Sequence, residues 1–235
     1  MNALHHAADR SQLAAWRWRD GLLGVLTGLL TSAAVVMLRA QWLAWAQGIV
    51  SFWHSHMGLP PLSGISASPP SGALVLGTTA AVALIWTVSG TWPEHRWPLR
   101  AVLRGLCLVQ ASACLFFALV PAQFPYTLNQ HLDALWMQGS LFLVFVPLML
   151  CMGWGVLRLP WALKLFAPGM VVLYFALLLP HQLAVHAWVL VQGSALFMPL
   201  LFLCFGLLLD SWLFIAIYAW LASLTPRTAG TESPA

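Results

Sequence analysis

Five of the eight histidines of this chain lie near the ends of long apolar runs. Imidazole nitrogens are ligands that copper, zinc and haem iron all accept. The H-x-H, H-x-D and H-x4-H spacings therefore indicate a candidate metal or haem site on one side of a membrane. Imidazole is also amphipathic and suits a membrane surface, so the sequence favours interfacial residues over metal ligands for the same side chains. The five histidines are His54, His56, His131, His181 and His186.

Asp210 is a carboxylate surrounded in sequence by leucine, isoleucine and phenylalanine. Placing a charge at the centre of a membrane helix costs about 2.5 to 3.5 kcal/mol, so such residues usually serve a function or have a partner. Asp210 is expected to relay protons or cations, or to clamp its helix to another helix or subunit. The alternative is a helix break between residues 187–209 and 211–224, which would let Asp210 reach headgroups and water.

Catalytic signatures are missing from the sequence. It contains no phosphate-binding P-loop, no G-x-S-x-G nucleophile motif and no H-E-x-x-H metalloprotease motif. Four cysteines fall inside apolar runs without C-x-x-C spacing, which favours packing over redox chemistry. The sequence thus favours a non-catalytic protein, and the basic residues are too dispersed to predict a nucleic-acid partner.

The elements that carry these residues follow from composition. The chain has 235 residues, of which 61% are hydrophobic and 7% are charged, against roughly 25% charged in soluble domains. About 20 apolar residues cross a bilayer core as a helix. No strand-like alternation appears, so the sequence predicts an all-α, polytopic transmembrane bundle of about six membrane-spanning helices. The apolar runs cover residues 21–38, 73–90, 101–120, 134–157, 165–180 and 187–224.

Other segments are placed around these runs. Residues 40–53 carry tryptophan and aliphatic residues at helical spacing with amides opposite, which predicts either a continuation of the first helix or, preferably, a lying or steeply tilted helix at the outer surface. Residues 54–72 are rich in Pro, Ser and Gly and form the predicted outer loop. Gly21, Gly24 and Gly28 give the first helix a close-packing face. Asp133 is expected to cap the fourth helix. Amide side chains, including Gln182, are expected to join helices.

Basic residues set the predicted orientation. Cytoplasmic loops of membrane proteins are enriched in Lys and Arg. With six crossings and a cytoplasmic N-terminus, nine of the ten basic residues lie inside and only Arg39 lies outside. Residues 1–20 and 225–235 are then cytoplasmic segments that flank the transmembrane domain at 21–224. The nine are Arg10, Arg17, Arg19, Arg96, Arg100, Arg104, Arg158, Lys164 and Arg227.

Three hypotheses for function follow. The first is a non-catalytic subunit or assembly factor of a complex in a bacterial inner membrane, with the bilayer and other membrane proteins as partners. The second is an outward-facing protein that handles a transition metal or haem through the five histidines. The third is a small proton-coupled transporter centred on Asp210, for which few other polar residues are available to line a path.

Overall fold

A computed structural model describes residues 18–58, 69–124, 126–157 and 159–224. About nine-tenths of the described residues are helical and none of them forms a strand, which confirms the all-α fold. The predicted cytoplasmic segments, apart from residues 18–20, and most of the predicted outer loop lie outside the described residues.

Eight α-helices are present in the described ranges. They are α1 (Trp18–Met37), α2 (Arg39–Met57), α3 (Gly72–Gly90), α4 (Trp97–Leu119), α5 (Leu128–Met152), α6 (Trp161–Gln192), α7 (Met198–Leu201) and α8 (Leu209–Ser223). A π-helical segment, Phe202–Leu208, joins α7 to α8. Six stretches are long and apolar enough to cross a membrane, which makes the chain a multi-pass membrane protein.

The fifth and sixth spans differ from the prediction. The fifth was expected to end at residue 180, but α6 continues through Pro180 to Gln192. Proline is tolerated inside membrane helices because neighbouring groups satisfy the freed backbone carbonyl. The chain turns instead at Gly193 and Ser194, where the Ser194 hydroxyl accepts from the Leu196 amide at 3.2 Å. The predicted break at Asp210 was wrong, because helical backbone runs continuously from Ala195 to Ser223.

The start of α5 also differs from the prediction. Thr127 Oγ1 accepts from the Gln130 amide at 3.2 Å, and Gln130 Oε1 accepts from the Thr127 amide at 2.9 Å. This reciprocal pair is a capping box, which satisfies free N–H groups at a helix start. Asp133 therefore lies inside the helix and does not cap it. The earlier start places His131 in the first turn of α5.

The chain divides into two compact units. The first contains Met1–Leu43, Ser140–Leu177 and Ser211–Ala235. In it a Cβ atom on Gly24 would lie 2.6 Å from the Cys151 carbonyl oxygen, and Ser32 Oγ donates to the Val144 carbonyl at 2.7 Å. Glycine thus lets α1 approach α5 closely, which confirms the predicted packing face.

An ion pair in this first unit constrains the path of the chain. Lys164 Nζ lies 3.0 Å from Asp20 Oδ2, and the lysine side chain is almost fully buried. The start of α1 and the start of α6 are therefore on the same side. If α1, α3, α4 and α5 each cross once, as their length and composition indicate, then α2 does not cross. The described α2 is also not among the six apolar spans, in agreement with the predicted interfacial helix.

The second unit contains Ala44–Gly139 and Leu178–Asp210. Ser71 caps α3 by accepting from the Leu74 amide at 3.2 Å. In α4, Gln110 Nε2 donates to the Leu196 carbonyl at 3.1 Å and so ties that helix to the start of the last span. This unit holds the five histidines of the candidate metal or haem site, and it also holds Asp210.

Candidate functional site

A buried pair of histidines lies in the second unit. His131 Nε2 is 3.0 Å from His186 Nδ1, and the rings are stacked at 24° with centroids 5.3 Å apart. His131 is 7% exposed and His186 is fully buried. The capping box of α5 positions the first ring, and the extension of α6 beyond Pro180 positions the second. Both features were missing from the sequence-based prediction.

The spacing of these two nitrogens defines how the pair holds protons. A hydrogen bond at 3.0 Å requires that one nitrogen carries the proton and that the other accepts it. Two N–H groups directed at each other across this gap would repel. The pair therefore takes up at most one additional proton in this arrangement. Each ring also has a second nitrogen that takes no part in this hydrogen bond. A proton added at the second nitrogen of one ring can be balanced by release of a proton from the second nitrogen of the other ring.

The second ring nitrogen of His186, Nε2, takes no part in the hydrogen bond of the pair. His186 Nε2 is buried and has no hydrogen-bond partner among the described residues. A buried polar nitrogen without a partner is costly, and such atoms in native proteins commonly mark a functional position. The backbone carbonyl of Phe205 lies near the imidazole, but not in hydrogen-bond geometry with Nε2. The ring of Phe202 packs edge-on against His131 at 5.7 Å and closes the other side.

Asp210 lies in the same unit and is 5% exposed. Its Oδ1 accepts a hydrogen bond from Gln182 Nε2 at 2.7 Å. Gln182 Nε2 also donates to the Phe205 carbonyl at 2.9 Å. The carboxyl group is therefore held inside the unit by an amide, and the predicted role of Gln182 in joining helices is confirmed. Asp210 therefore has a hydrogen-bond partner on another helix of the same chain, as the predicted clamp between helices requires.

The π-helical segment brings these groups together. A π-helix forms i to i+5 hydrogen bonds and is found often at functional sites. In this segment the Phe205 carbonyl accepts from Gln182 and lies near His186. A Cβ atom on Gly206 would lie 2.9 Å from Leu135 of α5, so glycine allows the segment to approach that helix.

One face of α6 contributes two residues to the site. Gln182 and His186 are four positions apart on α6 and so lie on one face. The imidazole pair, the Phe205 carbonyl, the Gln182 amide and the Asp210 carboxyl thereby form a buried polar series through apolar surroundings. We call His131, His186, Gln182 and Asp210 the polar series. Sequence spacing could have indicated the i, i+4 pair on α6, but not its contacts with α5 and the last span.

The remaining histidines do not join this series. His54 and His56 were placed in the outer loop, but they lie in the last turn of α2, where the helix continues to Met57. His56 Nδ1 lies 2.8 Å from the Phe52 carbonyl and the two rings are in contact. His181 packs edge-on against Trp53 at 5.9 Å. Residues two positions apart on a helix point to different faces, so the H-x-H pair is split: His56 makes these local contacts, whereas His54 Nε2 is buried without a hydrogen-bond partner among the described residues.

Metal binding by the five histidines stays a prediction. Within the described ranges, no three His, Cys, Asp or Glu residues are grouped so that they could hold a metal ion. His131 and His186 are the two that the fold brings together. Zinc–nitrogen bonds of about 2.0 to 2.1 Å would set two imidazole ligands a little over 3 Å apart. The observed 3.0 Å spacing therefore suits either a shared proton or two ligands of an ion.

Comparison with known proteins gives no relative: no family model, curated protein or solved structure matches this chain.

Proposed function

We propose that the chain is a small proton-handling membrane protein in which the polar series carries protons within the second unit. The observation that supports this most strongly is the buried His131–His186 hydrogen bond in the same unit as the Gln182–Asp210 contact. Imidazole and carboxyl groups are the side chains that form proton relays in membrane proteins. The chain otherwise has very few ionisable groups within its apolar spans.

Each member has a distinct role in this proposal. The histidine pair passes a proton between its rings: His186 Nε2 receives one as His131 Nδ1 releases another. Asp210 takes up and releases a proton by switching between the carboxylic acid and the carboxylate. Gln182 carries no proton and instead orients the Asp210 carboxyl through its N–H group. The Phe205 carbonyl fixes the orientation of the amide.

A vesicle assay tests the proposal. Purified protein is reconstituted into liposomes that contain a pH-sensitive dye, and a potassium diffusion potential drives protons inward. Wild-type vesicles should acidify faster than empty vesicles. Asp210→Asn keeps the hydrogen-bond acceptor for Gln182 but cannot ionise, so it should acidify like empty vesicles. Acidification by Asp210→Asn at the wild-type rate would refute a relay through this carboxyl.

A second candidate function is that of a non-catalytic subunit or assembly factor. It is favoured by the surface of α3, where Gly77 and Ala81 are both exposed at small-x3-small spacing. A Cβ atom on Gly77 would meet nothing within 4 Å. Small residues on an exposed membrane helix face allow close packing of a partner helix. Loss of co-purifying membrane proteins in Gly77→Leu, with Gly105→Leu as the control on α4, would support this candidate.

The cellular placement is part of the same proposal. A bacterial inner membrane with both termini in the cytoplasm agrees with the asymmetry of Lys and Arg along the chain. In this orientation His131 and His186 lie toward the outer side. The pair would then exchange protons with the periplasm.

A further inference from the structure

Arg104 is a cation within the α4 span, outside the polar series. It lies seven positions after Trp97, the first residue of α4, so its backbone is about 10 Å along the helix at 1.5 Å per residue. Its side chain reaches α3, where the guanidinium carbon lies 4.8 Å from the centre of the Trp86 ring. Nε donates to Ser89 Oγ at 3.3 Å.

These contacts hold the guanidinium at the end of α3. Ser89 is fully buried and is followed by Gly90, the last residue of that helix. A Cβ atom on Gly90 would lie 3.0 Å from Arg104 Nη2, so the glycine leaves the space that the guanidinium occupies. A long cationic side chain reaches headgroups in this way while its stem remains in the apolar region. The guanidinium is thus held in a defined position.

The held guanidinium has no anionic partner in the described part of the chain. The single ion pair there joins Lys164 and Asp20. Ser89 accepts a hydrogen bond only from Nε of Arg104. The Nη1 and Nη2 groups of Arg104 form a fork whose geometry matches the oxygens of a phosphate. Two further cations lie nearby: Arg100 precedes Arg104 by four positions on α4 and therefore shares its helical face, and Arg96 is the residue immediately before α4. Glu94 is exposed and forms no ion pair with them.

We propose that Arg96, Arg100 and Arg104 bind the headgroup phosphate of an anionic phospholipid at the α3–α4 turn. Two cations on one face of α4 and a third just before its start give the charge complementarity, and the Arg104 fork gives two parallel hydrogen bonds to phosphate oxygens. The position of the site, at the turn between two helices that are long and apolar enough to cross a membrane, favours a lipid over a soluble anion. Trp97 is exposed at the start of α4, as expected of a residue in the headgroup layer.

Lipid-dependent thermal stability of the purified full chain in detergent tests this proposal. Phosphatidylglycerol should raise the melting temperature more than phosphatidylcholine does. Arg104→Gln should weaken the apparent affinity for phosphatidylglycerol about fivefold, which corresponds to about 1 kcal/mol for each cation near an anionic surface. Arg39→Gln, which removes an exposed arginine at the start of α2, is the matched control and should keep wild-type affinity.

Several results would overturn lipid binding at these arginines. Equal stabilisation by the two lipids, or wild-type affinity in Arg104→Gln, is one such result. Inorganic phosphate that reproduces the full effect without lipid would reveal a small-anion site and also overturn it. If Arg104→Gln does not fold, Arg96→Gln/Arg100→Gln carries the test, because both side chains lie outside the α3 contact. Unchanged affinity in that double variant is equally decisive against lipid binding.

Discussion

His186 is fully buried against His131, and its second ring nitrogen has no hydrogen-bond partner among the described residues. This contact determines how much stability is lost when either histidine is substituted. Replacement of one histidine by phenylalanine leaves the other with a further unsatisfied nitrogen, which costs about 1 to 3 kcal/mol of stability. Replacement of both by phenylalanine removes the unsatisfied nitrogens together.

The first prediction is therefore non-additivity in stability. His131→Phe and His186→Phe should each lower the thermal stability of the purified protein, and the double variant should be more stable than the sum of the two losses predicts. Thermal unfolding in detergent measures all four proteins of this cycle. Additive losses would show that the two rings do not interact in the folded protein.

The second prediction concerns Asp210. Asp210→Asn should change the free energy of unfolding by less than about 1 kcal/mol, because the amide oxygen can still accept from Gln182. Asp210→Leu should cost more, about 1 to 3 kcal/mol, because it removes an acceptor from the buried Gln182 amide. Unfolding of both variants under the same conditions provides the comparison. Equal stability of the two would contradict the observed hydrogen bond.

The spans were predictable from sequence because each is a long apolar run, whereas the polar series depends on contacts between distant segments. His131 and His186 are separated by 55 positions, and no pattern in either segment specifies the other. The capping box at Thr127 and Gln130 is a local signal that could have given the start of α5. The π-helical segment has no local sequence signal that separates it from an α-helix.

The third prediction concerns close packing in the first unit. Gly24→Ala should destabilise the protein by more than about 1 kcal/mol, because its Cβ would lie 2.6 Å from a backbone carbonyl that cannot move freely. Gly105→Ala on α4 is the control, because its Cβ meets nothing within 4 Å and alanine favours a helix. Thermal unfolding should show a lower melting temperature than wild type for Gly24→Ala and a higher one for Gly105→Ala. Destabilisation of both to the same extent would argue against the close approach of α1.

The fourth prediction follows from the Lys164–Asp20 ion pair. Single cysteines at Trp18 and Trp161, introduced into a variant that lacks the native cysteines, should react with an impermeant maleimide from the same side of the membrane. A cysteine at Tyr126 should react from the opposite side. All three positions are well exposed. Reaction of positions 18 and 161 from opposite sides would mean that the number of crossings between them is odd.

Proton flux through vesicles that contain His131→Phe/His186→Phe is the most direct test of the proposed function. The double variant should remain folded because it leaves no ring nitrogen unsatisfied, so its flux is compared with that of wild type at equal amounts of folded protein. We expect wild-type vesicles to acidify under an inward potential and the double variant to acidify no faster than empty vesicles. Equal flux through wild type and the double variant would contradict proton transfer through the histidine pair.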